Sequence, residues 1–341
     1  WIECKISDIG TVVGGATPST KKPENYENGD IAWITPKDLS SFSGRYIQRG
    51  ERNITEIGLK SCSTQLLPKN TVLFSSRAPI GYVAIAENAV CTNQGFKSVI
   101  PNEDTDPIFL YYLLKYNKDK IESMGSGTTF KEVSRNTMKN IVVSVPQDKQ
   151  VQEKIASVLD AIDEKIEENE RINNNLEQQA QTLFDNFYDS LSGQSCILSE
   201  IIDISDGTHD SPKATEHGYP LVTSKHLLPF GVDTSSANII SKADYDKVNE
   251  RSKVNTGDIL ISMIGTVGLI SYVIDSPVEF AIKNVGLFKT SKHPSLDLYI
   301  LYYLKNKSTT QHIEKCLAGS TQKYISLGEL RKLPIVVPSP D

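Results

Sequence analysis

The stretch NTVLFSSRAPIG, residues 70–81, returns as GDILISMIGTVG at residues 257–268, position for position at a spacing of 187. Each copy sets an apolar, β-rich run ahead of a turn marked by Pro or Gly, so each predicts a strand running into a tight reversal. Such a repeat decides the architecture only if its neighbours repeat too, and they do. CKISDIG (4–10) is echoed by CILSEII (196–202), IAWITPKDL (31–39) by YPLVTSKHL (219–227), and LYYLLK (110–115) by LYYLKN (301–306). GTTFKEVS (127–134) is echoed by STQKYIS (320–326), and IVVSVP (141–146) by IVVPSP (335–340). The order never changes, and the spacing drifts only from 187 to 194, as short loop insertions produce. The chain carries two copies of one unit of about 145 residues, with a different kind of segment between them.

Residues 147–190 contain neither Pro nor Gly, and their apolar side chains recur at helical spacing. Val151, Ile155, Val158, Ile162, Ile166, Ile172, Leu176, Leu183, Phe187 and Leu191 trace one stripe, with Asn169 and Ala180 in two of its gaps. Pro146 and Gly193 are the start and stop signals. The pattern predicts a helix over 147–192, about 65 Å long at 1.5 Å per residue. Its narrow apolar stripe calls for a partner helix. The expected fold class is α+β: two similar mixed α/β domains, residues 1–146 and 193–341, joined by a long coiled-coil-type helix. Tyr111, Tyr112, Tyr302 and Tyr303 are expected on one amphipathic helix per copy, with one ring packed inward and the other at the edge.

Charge is unevenly spread. Residues 1–145 carry 17 basic and 15 acidic side chains (+2), residues 146–193 carry 4 and 11 (−7), and residues 194–341 carry 15 and 16 (−1). The acidity sits on the helix, where a solvated face is the simplest expectation. Each copy is near neutral, so charge neither demands nor forbids a nucleic-acid partner. No run of 18 apolar residues exists to span a bilayer. The N-terminus lacks the basic and apolar regions of a signal peptide, and a start at Trp1 points to missing upstream residues. Five cysteines without CxxC spacing fit reduced thiols in a cytoplasmic protein.

Catalytic motifs are absent from the sequence. GSGTTFK (125–131) lacks the spacing of a nucleotide-binding P-loop, and there is no G-x-S-x-G, H-E-x-x-H or Asn-Pro-Pro-Tyr-type element. The five histidines, 209, 217, 226, 293 and 312, show no metal-ligand spacing. A duplicated active site would repeat its polar residues, yet Arg77 aligns with Ile264 and Ser76 with Met263. Scaffold repeats while loop side chains diverge, which suits two modules that recognise different things. On the residues alone, a tandem carbohydrate- or protein-binding module on a helical stalk stays open beside a nucleic-acid reader.

The order ISDIG, GGATPST, IAWITPKDL, NTVLFSSRAPIG, NQGFKSVIP, LYYLLK, GSGTTFKEVS and MKNIVVSVP, followed by a helix opening QDKQVQEKIASVLDAIDEKI, resembles the specificity (S) subunit of type I restriction-modification enzymes. The second pass, ending GSTQKYISLGELRKLPIVVPSP, resembles that family's second target-recognition domain. The resemblance covers nearly the whole chain. It implies a non-catalytic subunit whose two domains each read half of a split sequence in double-stranded DNA. The long helix would space the domains and dock two methyltransferase subunits; self-association through the helix is the expectation of its uncovered apolar stripe. Restriction-translocase subunits would join through the complex, and S-adenosylmethionine, ATP and magnesium would belong to the partners, with no cofactor in this chain. The family pattern also places a second long helix after residue 341.

Base edges are read by Arg, Lys, Asn, Gln, Ser, Thr and His on exposed loops, and phosphates take Lys, Arg, hydroxyls and backbone N–H groups. In the first domain the candidates are Thr17, Ser19, Lys21, Lys22, Ser75, Ser76, Arg77, Thr128, Thr129 and Lys131. In the second they are Thr208, His209, Ser224, Lys225, His226, Ser320, Thr321, Gln322 and Lys323.

Overall fold

The first and last echoed blocks of each copy pair with one another. In the computed structural model, which describes residues 1–127, 131–193 and 195–338, Ile2–Lys5 runs antiparallel to Val142–Val145, with Cys4 opposite Val143. In the second copy Ser195–Ile197 runs antiparallel to Pro334–Val336, with Cys196 opposite Ile335. The chain divides into two compact units, Trp1–Ile172 and Asn173–Asp341, and the division falls inside the long helix.

Within the first unit, five strands lie in the order Gly10–Gly14, Lys97–Pro101, Val72–Ser76, Ile80–Ala86 and Tyr46–Ile47. A smaller sheet orders Arg52–Ile54, Ile31–Ile34 and Cys91–Thr92. The second unit repeats this plan with four strands in the larger sheet, Ile204–Asp206, Val285–Phe288, Ile259–Ser262 and Ile270–Tyr272, beside Asn238–Ile240, Tyr219–Val222 and Ala281–Ile282. Strands Val72–Ser76 and Ile259–Ser262 are buried along their whole length, so both faces are covered and the usual alternation of apolar and polar residues is lost. One helix per unit closes the core. Pro107–Tyr116 starts at Asp106, whose carboxylate accepts from Phe109 N at 2.7 Å. Its counterpart is Asp297–Lys305. Tyr111 and Tyr303 are the inward rings, while Tyr112 and Tyr302 are half-buried.

The hairpin that opened the sequence argument is stapled by a serine in both copies. Ser75 Oγ donates to Pro79 O (2.8 Å) and accepts from Tyr82 N (2.8 Å). Ser262 Oγ donates to Thr266 O (2.5 Å) and accepts from Leu269 N (2.8 Å). Each hydroxyl replaces backbone partners that the turn would otherwise leave unpaired. Ser75 and Ser76 were expected to face a ligand, and the structure corrects this. Both are fully buried, and Ser76 Oγ donates to Gly95 O at 3.1 Å.

The long helix runs Lys149–Ser190, with Leu191 one residue beyond it. It docks on each unit through a face different from the apolar stripe. In the first unit Ala156 and Gln152 are buried, and Gln152 Nε2 donates to Pro146 O at 2.9 Å. Arg45, 5% exposed, reaches Glu167 (Nε to Oε1, 3.0 Å) and Asp160, while the Tyr112 hydroxyl donates to Asp163 at 2.9 Å. Burial works against the Arg45 charge, but the hydrogen bond to Glu167 and the charges of Asp160 and Glu167 outweigh it and hold the guanidinium above its ordinary range. Burial, then the bond to Asp163, pushes the Tyr112 phenol up. In the second unit Lys305 grips Glu177 at 2.5 Å, Asn306 donates to Asp185 at 2.8 Å, and Phe184 packs among Tyr188, Tyr299 and Tyr302. The lysine of a Tyr-x-x-Lys pair thus meets one acidic residue of the helix in each unit: Lys115 at Asp163, which also accepts from Tyr112, and Lys305 at Glu177. Much of the acidity expected on a solvated face is docking chemistry.

The stripe stays open within this chain. Ile162 and Ile166 are 53% and 50% exposed, and Val151, Val158, Ile172, Leu176, Leu183 and Phe187 are exposed with them; Ile155 and Leu191 are half-buried. Full burial of such side chains is worth about 1.5–3 kcal/mol each. The chain alone is therefore expected to associate as its concentration rises, and Ile162→Gln with Ile166→Gln should shift light scattering towards monomer. A monomer unaffected by both changes would show that the stripe needs no cover. For the staple, Ser75→Ala and Ser262→Ala each remove two part-buried hydrogen bonds, at a cost of about 0.5–1.5 kcal/mol per bond. Urea midpoints unmoved in both variants would refute the staple.

Candidate nucleic-acid interface

Loop positions in each unit follow from two glycines. A Cβ on Gly15 would lie 2.1 Å from Thr92 O, and one on Gly207 would lie 2.2 Å from Ile282 O. Only glycine permits these approaches, and the next residue locks each one: Ala16 N donates to Thr92 O and Thr208 N to Ile282 O, both at 3.0 Å. Two loops are thereby clamped together at the same place in each unit. In the first unit they carry Thr17, Ser19, Lys21 and Lys22, all exposed, against Asn93 and Gln94. Thr17 Oγ1 donates to Gln94 Oε1. In the second they carry half-buried Thr208 and exposed His209 against Lys283 and Asn284. His209 Nδ1 lies 2.8 Å from Asn284 Oδ1, and its Nε2 lies 3.0 Å from Asp206, whose buried carboxylate accepts from Arg251 at 2.6 Å.

A further loop in each unit is closed by a two-residue β-bridge. Ser126 and Glu132 exchange backbone bonds of 3.0 and 2.9 Å, as Ala318 and Tyr324 do at 2.9 Å. Both loops dock on the stapled hairpin, through Val133 N to Ser76 O (3.0 Å) and Ile325 N to Met263 O (2.9 Å). Arg77 on that hairpin meets Glu132 at 3.5 Å, and Lys97 meets the same carboxylate at 3.1 Å. Lys131 is exposed beside them, and Thr128 and Thr129 lie outside the described residues. Ser320, Thr321, Gln322 and Lys323 are exposed at the tip of the second loop. In the first unit Lys97 also reaches Gln94 O at 3.4 Å, so Thr17, Gln94, Lys97, Glu132 and Arg77 form one connected rim.

His226 is corrected from reader to cap. TPKD (35–38) and TSKH (223–226) make the same turn: Thr35 N donates to Asp38 Oδ2 (2.7 Å), and Thr223 N donates to His226 Nδ1 (2.9 Å). The ring is buried, and burial followed by Lys225 pushes its pKa down. An accepting Nδ1 must be unprotonated. Half-buried Ser224 and exposed Lys225 sit on this turn. Gln94, Lys97, Glu132, Asp206, Lys283 and Asn284 escaped the sequence argument. An amide after the strand in both CTNQG (91–95) and AIKNVG (281–286) was the signal available.

The units share a scaffold and differ in the side chains set on it, which defines a tandem recognition protein. Among the described residues no three His, Cys, Asp or Glu side chains are placed to hold a metal ion, and no helix is long and apolar enough to cross a membrane. Residues 1–178 and 197–341 match the model of the type I restriction modification DNA specificity domain. The chain belongs to this family and carries its DNA specificity domain twice. It is 33% identical over 370 residues to the type I restriction enzyme MjaIX specificity subunit of Methanocaldococcus jannaschii, covering 99% of this chain and 83% of that one. The EcoR124I/EcoR124II specificity subunit of Escherichia coli is 30% identical over 164 residues, 46% of this chain and 40% of that one. The crystal structure of the type I restriction-modification system S subunit from M. genitalium shares the fold, with a TM-score of 0.52 at 17% identity over 98% of this chain and 87% of that one. A carbohydrate- or protein-binding tandem finds no support in these relatives.

The His226 cap has a definite pH sign. A folded pKa below the unfolded value of about 6.5 means that the unfolded chain binds more protons between the two. Stability from this group is present above pH ~6.5 and is lost as pH falls towards the folded value. Denaturation of the chain between pH 7.5 and 5.5 should show a slope that His226→Gln reduces. An unchanged slope would place the titration elsewhere.

Proposed function

We propose that each unit reads one half of a bipartite site in double-stranded DNA, and that the helix between them sets the gap and docks methyltransferase subunits, two to each specificity subunit. The observation that carries this is the recurrence of the same clamped loops in both units with different side chains, exposed Thr17 and Gln94 in one, exposed His209 and half-buried Asn284 in the other. A scaffold kept and a contact surface changed is what separate half-sequences require. The domains are residues 1–146 and 193–341, and residues 147–192 are the spacer, whose exposed stripe is the docking face for partner helices. The chain is non-catalytic and works in the cytoplasm. Methyl transfer to adenine N6, with S-adenosylmethionine, and ATP-dependent restriction, with magnesium, belong to the partner subunits.

The exposed lysines divide by role. Lys21, Lys22, Lys131, Lys225 and Lys323 lie on loops and suit phosphates, which set affinity and its salt dependence. Arg77, turned between Glu132 and solvent, suits a base edge. Thr208, Ser19, Ser224, Ser320, Thr321 and Gln322 supply further hydroxyls and an amide for either. The test is co-expression with the cognate methyltransferase subunit followed by mapping of methylated adenines. Replacing residues 1–146 with the first domain of another family member should change one half-sequence and spare the other. A change in both halves would overturn the modular assignment.

A further inference from the structure

We propose that Gln94 and Asn284 are the base-reading amides of the two units, each aimed by the residue two places after the clamping glycine, and that each contacts an adenine edge. The inference deepens the DNA-reading function just proposed and rests on it.

The two sites are built alike without sharing a side chain. Gly15 and Gly207 bring the loops together because a Cβ would collide with Thr92 O or Ile282 O. Two residues on, Thr17 and His209 reach across to the facing loop and each bonds a side-chain amide, Gln94 through its carbonyl oxygen in one unit and Asn284 in the other. That bond holds the amide in place. Among the described residues no partner takes the –NH2 group of Gln94. Each amide carries two lone pairs and two N–H donors. An amide that makes one bond, through either end, keeps at least one acceptor and one donor, which is the set that pairs bidentately with adenine N6 and N7 in the major groove. Holding the amide before DNA arrives also removes rotamer freedom that binding would otherwise have to freeze.

The aiming residue is itself secured more firmly in the second unit. His209 is clamped between Asn284 and Asp206, and Arg251 grips the same Asp206 carboxylate. Lys283, next to Asn284, donates to Ser211 Oγ at 2.5 Å and so ties the two loops a second time. In the first unit Lys97 donates to Gln94 O at 3.4 Å and steadies the backbone of the reading residue. Thr17 and His209 are therefore positioning residues, and the amides are the contact groups.

The test uses the full chain co-expressed with its methyltransferase subunit, with methylated adenines mapped across genomic DNA. Gln94→Ala should relax one adenine position in one half-sequence, and Asn284→Ala should relax one in the other. The bidentate pair supports about a 5- to 150-fold preference to be lost. Thr17→Ala should weaken the same position as Gln94→Ala without abolishing it, a readout that a merely structural residue would not move. Targets unchanged in both amide variants would overturn the proposal, as would a uniform loss of methylation at all sites. A variant that no longer co-purifies with the methyltransferase subunit would mark the amide as structural and overturn it equally. If the unaltered chain directs no bipartite methylation, the failure belongs to the proposed function. If it does and the variants copy it, the failure belongs to the amides alone.

Discussion

The antiparallel pairing of the first and last strands of each copy is the constraint on which the rest depends. With Cys4 opposite Val143 and Cys196 opposite Ile335, the two ends of about 140 residues of chain are held side by side in each unit. Everything between them becomes a closed excursion, free to vary in its loops without moving the ends. In the first unit the long helix leaves three residues after the closing strand, so its opening turns lie against the core. Gln152 and Ala156 are buried there as a direct result.

Docking of the helix relies on many polar contacts, and this has a physical reason. Most of its large aliphatic side chains lie on the open stripe, so the face turned to each unit joins Ala156 or Phe184 to the carboxylates Asp160, Asp163, Glu167, Glu177 and Asp185. Carboxylates drawn towards a protein surface need partners. Arg45, Tyr112, Lys305 and Asn306 provide them. One helix can thus present two chemistries: directional polar contacts to its own units and an apolar seam to others.

Much of the fold was legible in the residues. Repeated blocks announced the duplication, and apolar spacing announced the helix, because both are local or periodic signals that survive without knowledge of the fold. The residues alone point to Ser75, Ser76 and His226 as readers, and the structure buries all three. A strand covered on both faces loses its alternation, so nothing near Ser75 tells that its hydroxyl closes a turn. His226 occupies the position of Asp38, and an imidazole that caps a turn looks like one that reads a base. The LYYLLK and LYYLKN echo is also out of step by one residue: Lys115 and Lys305 each pair with an acidic residue of the helix, so Tyr112 corresponds to Tyr302, and the inward ring is Tyr111 in one unit and Tyr303 in the other.

Two copies of one scaffold, a helix between them and the order of every block are properties of the sequence by itself, since periodicity and repetition are carried by neighbours along the chain. Which polar side chains meet solvent is a property of the tertiary structure alone. Thr17 and Gln94 lie 77 residues apart, and His209 and Asn284 lie 75 apart. Only folding brings them together, through a glycine whose missing side chain lets two loops touch.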